Sequence, residues 1–151
     1  SDAPGAARPA VSAIENIERF EPVEARFVRF SIRKTSTIEP CIDELEVFTA
    51  DDNPANIALA ATGAVATASS EFPSNDKHKT AHLNDGRYGN DYSWIPMERE
   101  GAWAQIEFAA PARIDTIAWA RDRDGGYKDR LPTDYVIEIA LEPGEWRVVA
   151  N

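Results

Sequence analysis

The chain has a single cysteine, Cys41, so neither an intrachain disulfide nor a cysteine-built metal cage is available to it. A catalytic thiol would need a histidine beside it, and the simpler reading of Cys41 is a small buried hydrophobe next to Ile42. Only two histidines occur, His78 and His82, four positions apart among turn residues. That setting suits solvated loop histidines better than a two-histidine metal site. No apolar run approaches the roughly 20 residues that cross a bilayer as a helix. Positive charge is also scarce. There are 16 Lys and Arg against 26 Asp and Glu, a formal net charge of −10, and no basic run offsets it locally. Such a surface repels nucleic acid and anionic membranes, and leaves neutral ligands, cations and basic proteins as partners. Phospholipid binding is further disfavoured by the lack of apolar loop tips. Gly-x-Ser-x-Gly, His-Glu-x-x-His and phosphate-cradling glycine loops are all missing. With 26 carboxylates, some pair falls at glycosidase separation by chance, so acidity is no sign of catalysis and a non-enzyme is expected.

What is present fits one folded domain. The 151 residues are 43% hydrophobic, enough for a proper core. Residues 1–10, rich in Ala, Pro and Gly, read as a linker or an appended remnant, which suggests a module cut from a longer polypeptide. Residues 11–151 then form the domain. Ile14, Ile17 and Phe20 recur at three-residue spacing and predict a helical turn or two before Pro22. From 25 to 33 the pattern changes to period two, with Val28, Phe30 and Ile32 on one side and Arg29, Ser31 and Arg33 on the other. A second strand covers 42–48, where Leu45 and Val47 alternate with Glu44 and Glu46. Weakly patterned extended segments follow at 56–60 and 64–68, and further strands at 103–108, 114–119, 134–140 and 145–149. Short alternating strands separated by turn residues, without a long helix, predict an all-β sandwich or barrel.

Several pieces carry a resemblance. They are Asn56-Ile57-Ala58-Leu59-Ala60 with Ala66-Thr67-Ala68-Ser69-Ser70, Asn84-Asp85-Gly86 followed by Trp94, and Trp103-Ala104-Gln105-Ile106-Glu107-Phe108. Ile114-Asp115-Thr116-Ile117 and Asp134-Tyr135-Val136-Ile137-Glu138 leading to Trp146 complete the set. In this order the chain resembles the discoidin family, also called coagulation factor V/VIII C-type, and related carbohydrate-binding modules. The segments 25–30 and 42–48 look like that family's closing two strands, yet here they come first. They belong either to a preceding domain or to one circularly permuted domain. The second is favoured, since a fragment without its closing strands would leave apolar strand edges open. The resemblance therefore implies a jelly-roll β-sandwich of the galactose-binding-domain type, circularly permuted. It also implies an extracytoplasmic location: secreted, periplasmic or cell-surface.

Two stretches carry the candidate chemistry. Residues 82–94 pack Gly, Asn, Asp, Tyr and Trp into one loop, supplying positive-φ turns and oxygens for a hard cation. The resemblance implies a structural calcium ion near the Asp-Gly turn and the penultimate-strand Glu, which carries over to Asp85 and Glu44. Asn90, Ser93 and main-chain carbonyls would complete the ligands. Tyr92 departs from the family, which usually has Thr there, and an Asx turn satisfying its own backbone is the competing reading. For a ligand, neutral sugars need an aromatic face and polar groups that bracket hydroxyls. His78, Tyr88, Tyr92 and Trp94 offer these from one side. Residues 121–130 offer them from the other, through Arg121, Asp122, Arg123, Tyr127 and Arg130, in a loop where Asp can fix Arg forks that still donate outward. The expectation is a non-catalytic carbohydrate-binding module that tethers a larger protein to a glycan. The rival is a protein-interaction or structural module docking neighbouring domains of the same polypeptide.

Overall fold

A computed structural model describes residues 10–151. The described residues form six strands: β1 (Asn16–Thr35), β2 (Glu44–Thr49), β3 (Val65–Ala68), β4 (Trp103–Ala120), β5 (Pro132–Ala140) and β6 (Arg147–Ala150). Helix among the described residues is confined to three short 3-10 turns, at Ala60–Thr62, Thr80–Asn84 and Asn90–Tyr92. All strand pairing is antiparallel, in the order β2-β4-β1-β5-β6, with β3 also on β4. The expected all-β class is what forms, with a β-sandwich-like character.

Two long strands organise it. β1 and β4 run against each other along most of their length, but their register shifts between Arg19 and Val23 and again between Ala25 and Phe27. Pro22 lies in the first irregularity. At the second, Arg26 alone stands against 108–111, where Pro111 cannot donate to the ladder. Each shift bends the pair, so one arm holds β2 and the other holds β3, β5 and β6. The alternation predicted for 25–33 holds, because Val28, Phe30 and Ile32 are buried while Arg29, Ser31 and Arg33 are not. The helical turns predicted from Ile14, Ile17 and Phe20 do not form. Asn16 to Arg19 pair with Trp119 to Thr116 as strand, and the ladder outweighs a three-residue periodicity too short to nucleate a helix. The strands predicted separately at 103–108 and 114–119 are one, β4.

The core joins the two arms through rings. Phe30 stacks on Tyr135 at 4.6 Å, and both meet Trp119 edge-on at 5.1 Å. Each such pair contributes about 0.5–1.5 kcal/mol beyond its burial. On the outer face of the second arm the half-buried Trp103 and Trp146 bracket Arg29, whose guanidinium lies 5.1 and 4.3 Å from their rings. β1 sits in mid-sheet between β4 and β5, so the front segment is integral to this sheet.

Candidate functional site

Three loops meet beyond the end of β4. The turn after β1 is tied to the start of β5 by Ser36 N to Leu131 O and by Cys41 N to Arg130 O, both at 2.9 Å. Ile42 and Trp94 exchange backbone bonds at 3.0 and 2.7 Å, and Ser93 N reaches Lys77 O at 3.0 Å. Between them opens a pocket of about 190 Å³. Phe72 and Ile95 give it apolar wall, and the polar lining comes from both predicted loops: Asn75, His78 and Asn90 from one, Arg121, Asp129 and Arg130 with Tyr127 from the other.

Arg121, the residue after β4, forms the floor and is almost fully buried. Its Nε donates to the Asp129 carbonyl, one terminal nitrogen to Asp129 Oδ1 at 2.9 Å, and the other to Cys41 Sγ and Asn90 Oδ1, each at 3.0 Å. A buried guanidinium is tolerable only when its forks are satisfied in this way. Burial pushes the Cys41 thiol up to about 11 despite Arg121 beside it, so this sulfur is a neutral acceptor rather than a nucleophile. Arg130 donates to the Glu39 carbonyl at 3.0 Å and to its carboxylate at 3.3 Å. Tyr127, half exposed, is the aromatic residue on the rim, with the Arg121 guanidinium 5.4 Å from its ring.

His78 is held by a relay. Ser93 Oγ donates to the Asn90 carbonyl at 2.7 Å, and His78 Nδ1 lies 2.9 Å from the same hydroxyl. Burial, followed by the positive charges of Arg121 and Arg130, holds the imidazole below its ordinary value, so it is neutral at pH 7.

A second cluster lies under residues 85–89. The alternation in β2 predicted Glu44 and Glu46 on a solvent face, but both are buried, as is Asp43, because this loop and Arg123 cover them. Asp43 Oδ2 accepts from Gly89 N at 3.0 Å and from Arg123 N at 2.8 Å. Glu44 Oε2 accepts from Gly86 N at 2.8 Å. Glu46 takes Tyr88 OH at 3.0 Å and the Arg123 guanidinium at 2.6 Å, and that guanidinium stacks 4.0 Å from the Tyr88 ring. Burial raises Asp43, and burial with Asp85 alongside pushes Glu44 up to about 10. Asp43 Oδ1 and Glu44 Oε1 are buried without a partner.

Those orphan oxygens test the fit of a cation. Asp85 lies beside the Glu44 carboxyl, whose Oε1 is buried without a hydrogen-bond partner among the described residues. Asn90 and Ser93 do not fit the same set, since their side chains are committed to Arg121, His78 and the Asn90 carbonyl at the pocket. Among the described residues no group of three or more His, Cys, Asp or Glu is arranged around a metal position.

Of the predicted ligand residues, the pocket brings together His78, Arg121, Tyr127 and Arg130. Trp94 is fully buried, with its Nε1 donating to Ser70 O at 2.8 Å, and presents no face to a ligand. Tyr88 and Arg123 belong to the Glu46 cluster. Tyr92 is covered by Arg87 at 4.1 Å and meets His82 edge-on at 6.1 Å. Asp122 is buried and ties its own loop, accepting from Asp124 N at 3.2 Å and Tyr127 N at 2.8 Å. Asp129 was missed, although its place among alternating Arg and Asp marked it. Phe72, Asn75 and Ile95 carried no signal of their own. Compared with family models, curated proteins and solved structures, the chain matches none.

Proposed function

We propose that this chain is a non-catalytic carbohydrate-binding module, with the pocket between the 78–90 and 121–130 loops as its site. The observation that carries the reading is the convergence of these loops on one concavity that pairs a half-exposed Tyr127 with hydrogen-bonding groups on several sides. Aromatic face plus polar bracket is the combination that a pyranose requires. The discoidin resemblance points the same way and supplies the wider setting, a module tethering an extracytoplasmic protein to a glycan. At about 190 Å³ the pocket is smaller than the roughly 300–1,000 Å³ of drug-sized sites, so single-site affinity is weak and avidity carries the tethering.

A structural calcium ion belongs to the same reading. Glu44 and Asp85 would hold it together with main-chain carbonyls of the loop, and the motive is the orphaned Glu44 Oε1. A divalent cation there supplies the positive charge that lets the buried Glu44 ionise. The rival role, docking a neighbouring domain, draws on Ile38, exposed in the same turn as the rim residue Glu39.

Titration of the labelled protein with a panel of monosaccharides, followed by amide shifts, tests the reading. Shifts should concentrate at 75–78, 90 and 127–130, and Tyr127→Ala should remove them without moving the melting temperature. A panel with no shifts at all would discard carbohydrate in favour of the docking role.

A further inference from the structure

We infer that the pocket selects uncharged sugars that donate hydroxyl hydrogens, and rejects their carboxylate-bearing counterparts, through two acceptors: His78 Nε2 and the Asp129 carboxylate. The inference rests on the carbohydrate reading and adds the class of sugar to it.

The first acceptor follows from hydrogen counting. The Asn90 carbonyl has no hydrogen to give, so its 2.7 Å contact with Ser93 Oγ uses the one hydroxyl hydrogen. Ser93 can then only accept from His78, 2.9 Å away, which puts the imidazole hydrogen on Nδ1. In the neutral ring Nε2 is left with a lone pair. Among the described residues no hydrogen bond engages it, and His78 lines the pocket. The second acceptor is Asp129, whose Oδ1 holds Arg121 at 2.9 Å while the side chain is 49% exposed, leaving lone pairs directed outward.

The strongest buried donor, by contrast, is already committed. Arg121 has both forks engaged by Asp129, Cys41 and Asn90. Arg130 is held by Glu39 and lies 4.0 Å from Asp129 Oδ2. Arg121 and Arg130 are therefore each ion-paired, with Asp129 in the lining and with Glu39 beside it. Outside this ring the exposed Lys77 lies 3.6 Å from the equally exposed Asp91. A ligand hydroxyl finds waiting acceptors at His78 and Asp129. A ligand carboxylate meets a lone pair and a like charge at these two positions, and repulsion built against the wrong partner discriminates as well as attraction to the right one.

Matched pairs decide it: glucose with glucuronate, galactose with galacturonate and mannose with mannuronate, titrated at neutral pH and followed by amide shifts. At least one hexose should bind about tenfold or more tighter than its uronate. Asp129→Asn, which replaces a charged acceptor by an amide with donors, should shrink that ratio towards one, and His78→Gln should retain more hexose binding than His78→Leu because its amide oxygen can still accept. Melting curves of each variant confirm that it folds. A uronate that binds as well as or better than its hexose overturns the inference while leaving the carbohydrate reading intact. An unchanged ratio in Asp129→Asn overturns it as well. Absence of binding by every sugar removes the carbohydrate reading, and the inference with it.

Discussion

Glu44 Oε2 accepts a hydrogen bond from Gly86 N at 2.8 Å, so a carboxyl in β2 holds the tip of a loop far along the chain. The other oxygen of the same carboxyl is buried without a partner, and the group is pushed up to about 10, first by burial and then by Asp85. A carboxyl in this state is neutral at pH 7, and that has a measurable sign.

In chelator-treated protein, Glu44 keeps its proton in the folded state up to about 10, whereas the unfolded chain releases it near the ordinary 4.5. Its contribution to stability is therefore fully present below 4.5 and is lost as pH rises towards 10. Urea unfolding at a series of pH values should show wild-type stability declining across that window, with Glu44→Gln flatter and more stable at the alkaline end. Parallel curves for the two proteins would contradict the assignment.

Calcium should act through the same carboxyl. With free calcium at 100 times its dissociation constant, linkage gives about 2.7 kcal/mol, a rise of about 5–10 °C in melting temperature for a chain of this size. Glu44→Gln and Asp85→Asn should each abolish the rise, while Asn90→Ala should leave it in place. Indifference of wild type to both calcium and chelator would count against the ion.

Replacing Arg121 removes the pocket floor. Its partners Cys41 and Asn90 lose a donor and Asp129 loses its counter-ion. Arg121→Met should cost roughly 3 kcal/mol, the low end for breaking a buried pair because Asp129 is half exposed. Arg121→Lys should recover little, since an ammonium cannot reach partners arranged for a planar fork. Chemical denaturation reads both.

Gly89 is constrained twice. Its φ is +100°, and a Cβ there would collide with the Asp124 carboxylate. Gly89→Ala should destabilise by about 1–3 kcal/mol and loosen the N–H bond to Asp43, visible as faster amide exchange at 89 and 123.

Much of this was legible in the sequence, and the failures have physical causes. The period-two pattern at 28, 30 and 32 marked the core side of β1, because alternate positions of a strand must share a face. Pro22 read as the end of a helical turn and 109–113 as a gap between two strands, yet in long bent strands Pro22 and Pro111 mark irregularities that the ladder passes through. The alternation of Glu44 and Glu46 with Leu45 and Val47 could not register a loop that folds over them from 42 residues away. The two functional loops stood out by composition. Which arginine meets which carboxylate depended on tertiary placement, so Arg123 went to Glu46 and Arg121 to Asp129 with nothing local to separate them. Trp94 stood among the candidate ligand residues by its place in the loop, but its ring fills the core under that loop.

One oxygen of Asp43 receives both Gly89 N and Arg123 N, at 3.0 and 2.8 Å. Gly89 adjoins Asn90 and Arg123 follows closely on Arg121, so a single carboxylate fastens both walls of the pocket to the segment that leads into β2. Walls already fastened surrender little freedom when a ligand arrives. Whatever occupies the pocket therefore meets a preorganised surface, and its association carries a smaller entropic penalty than two independent loops would impose. Asp43, which touches no ligand, sets that term.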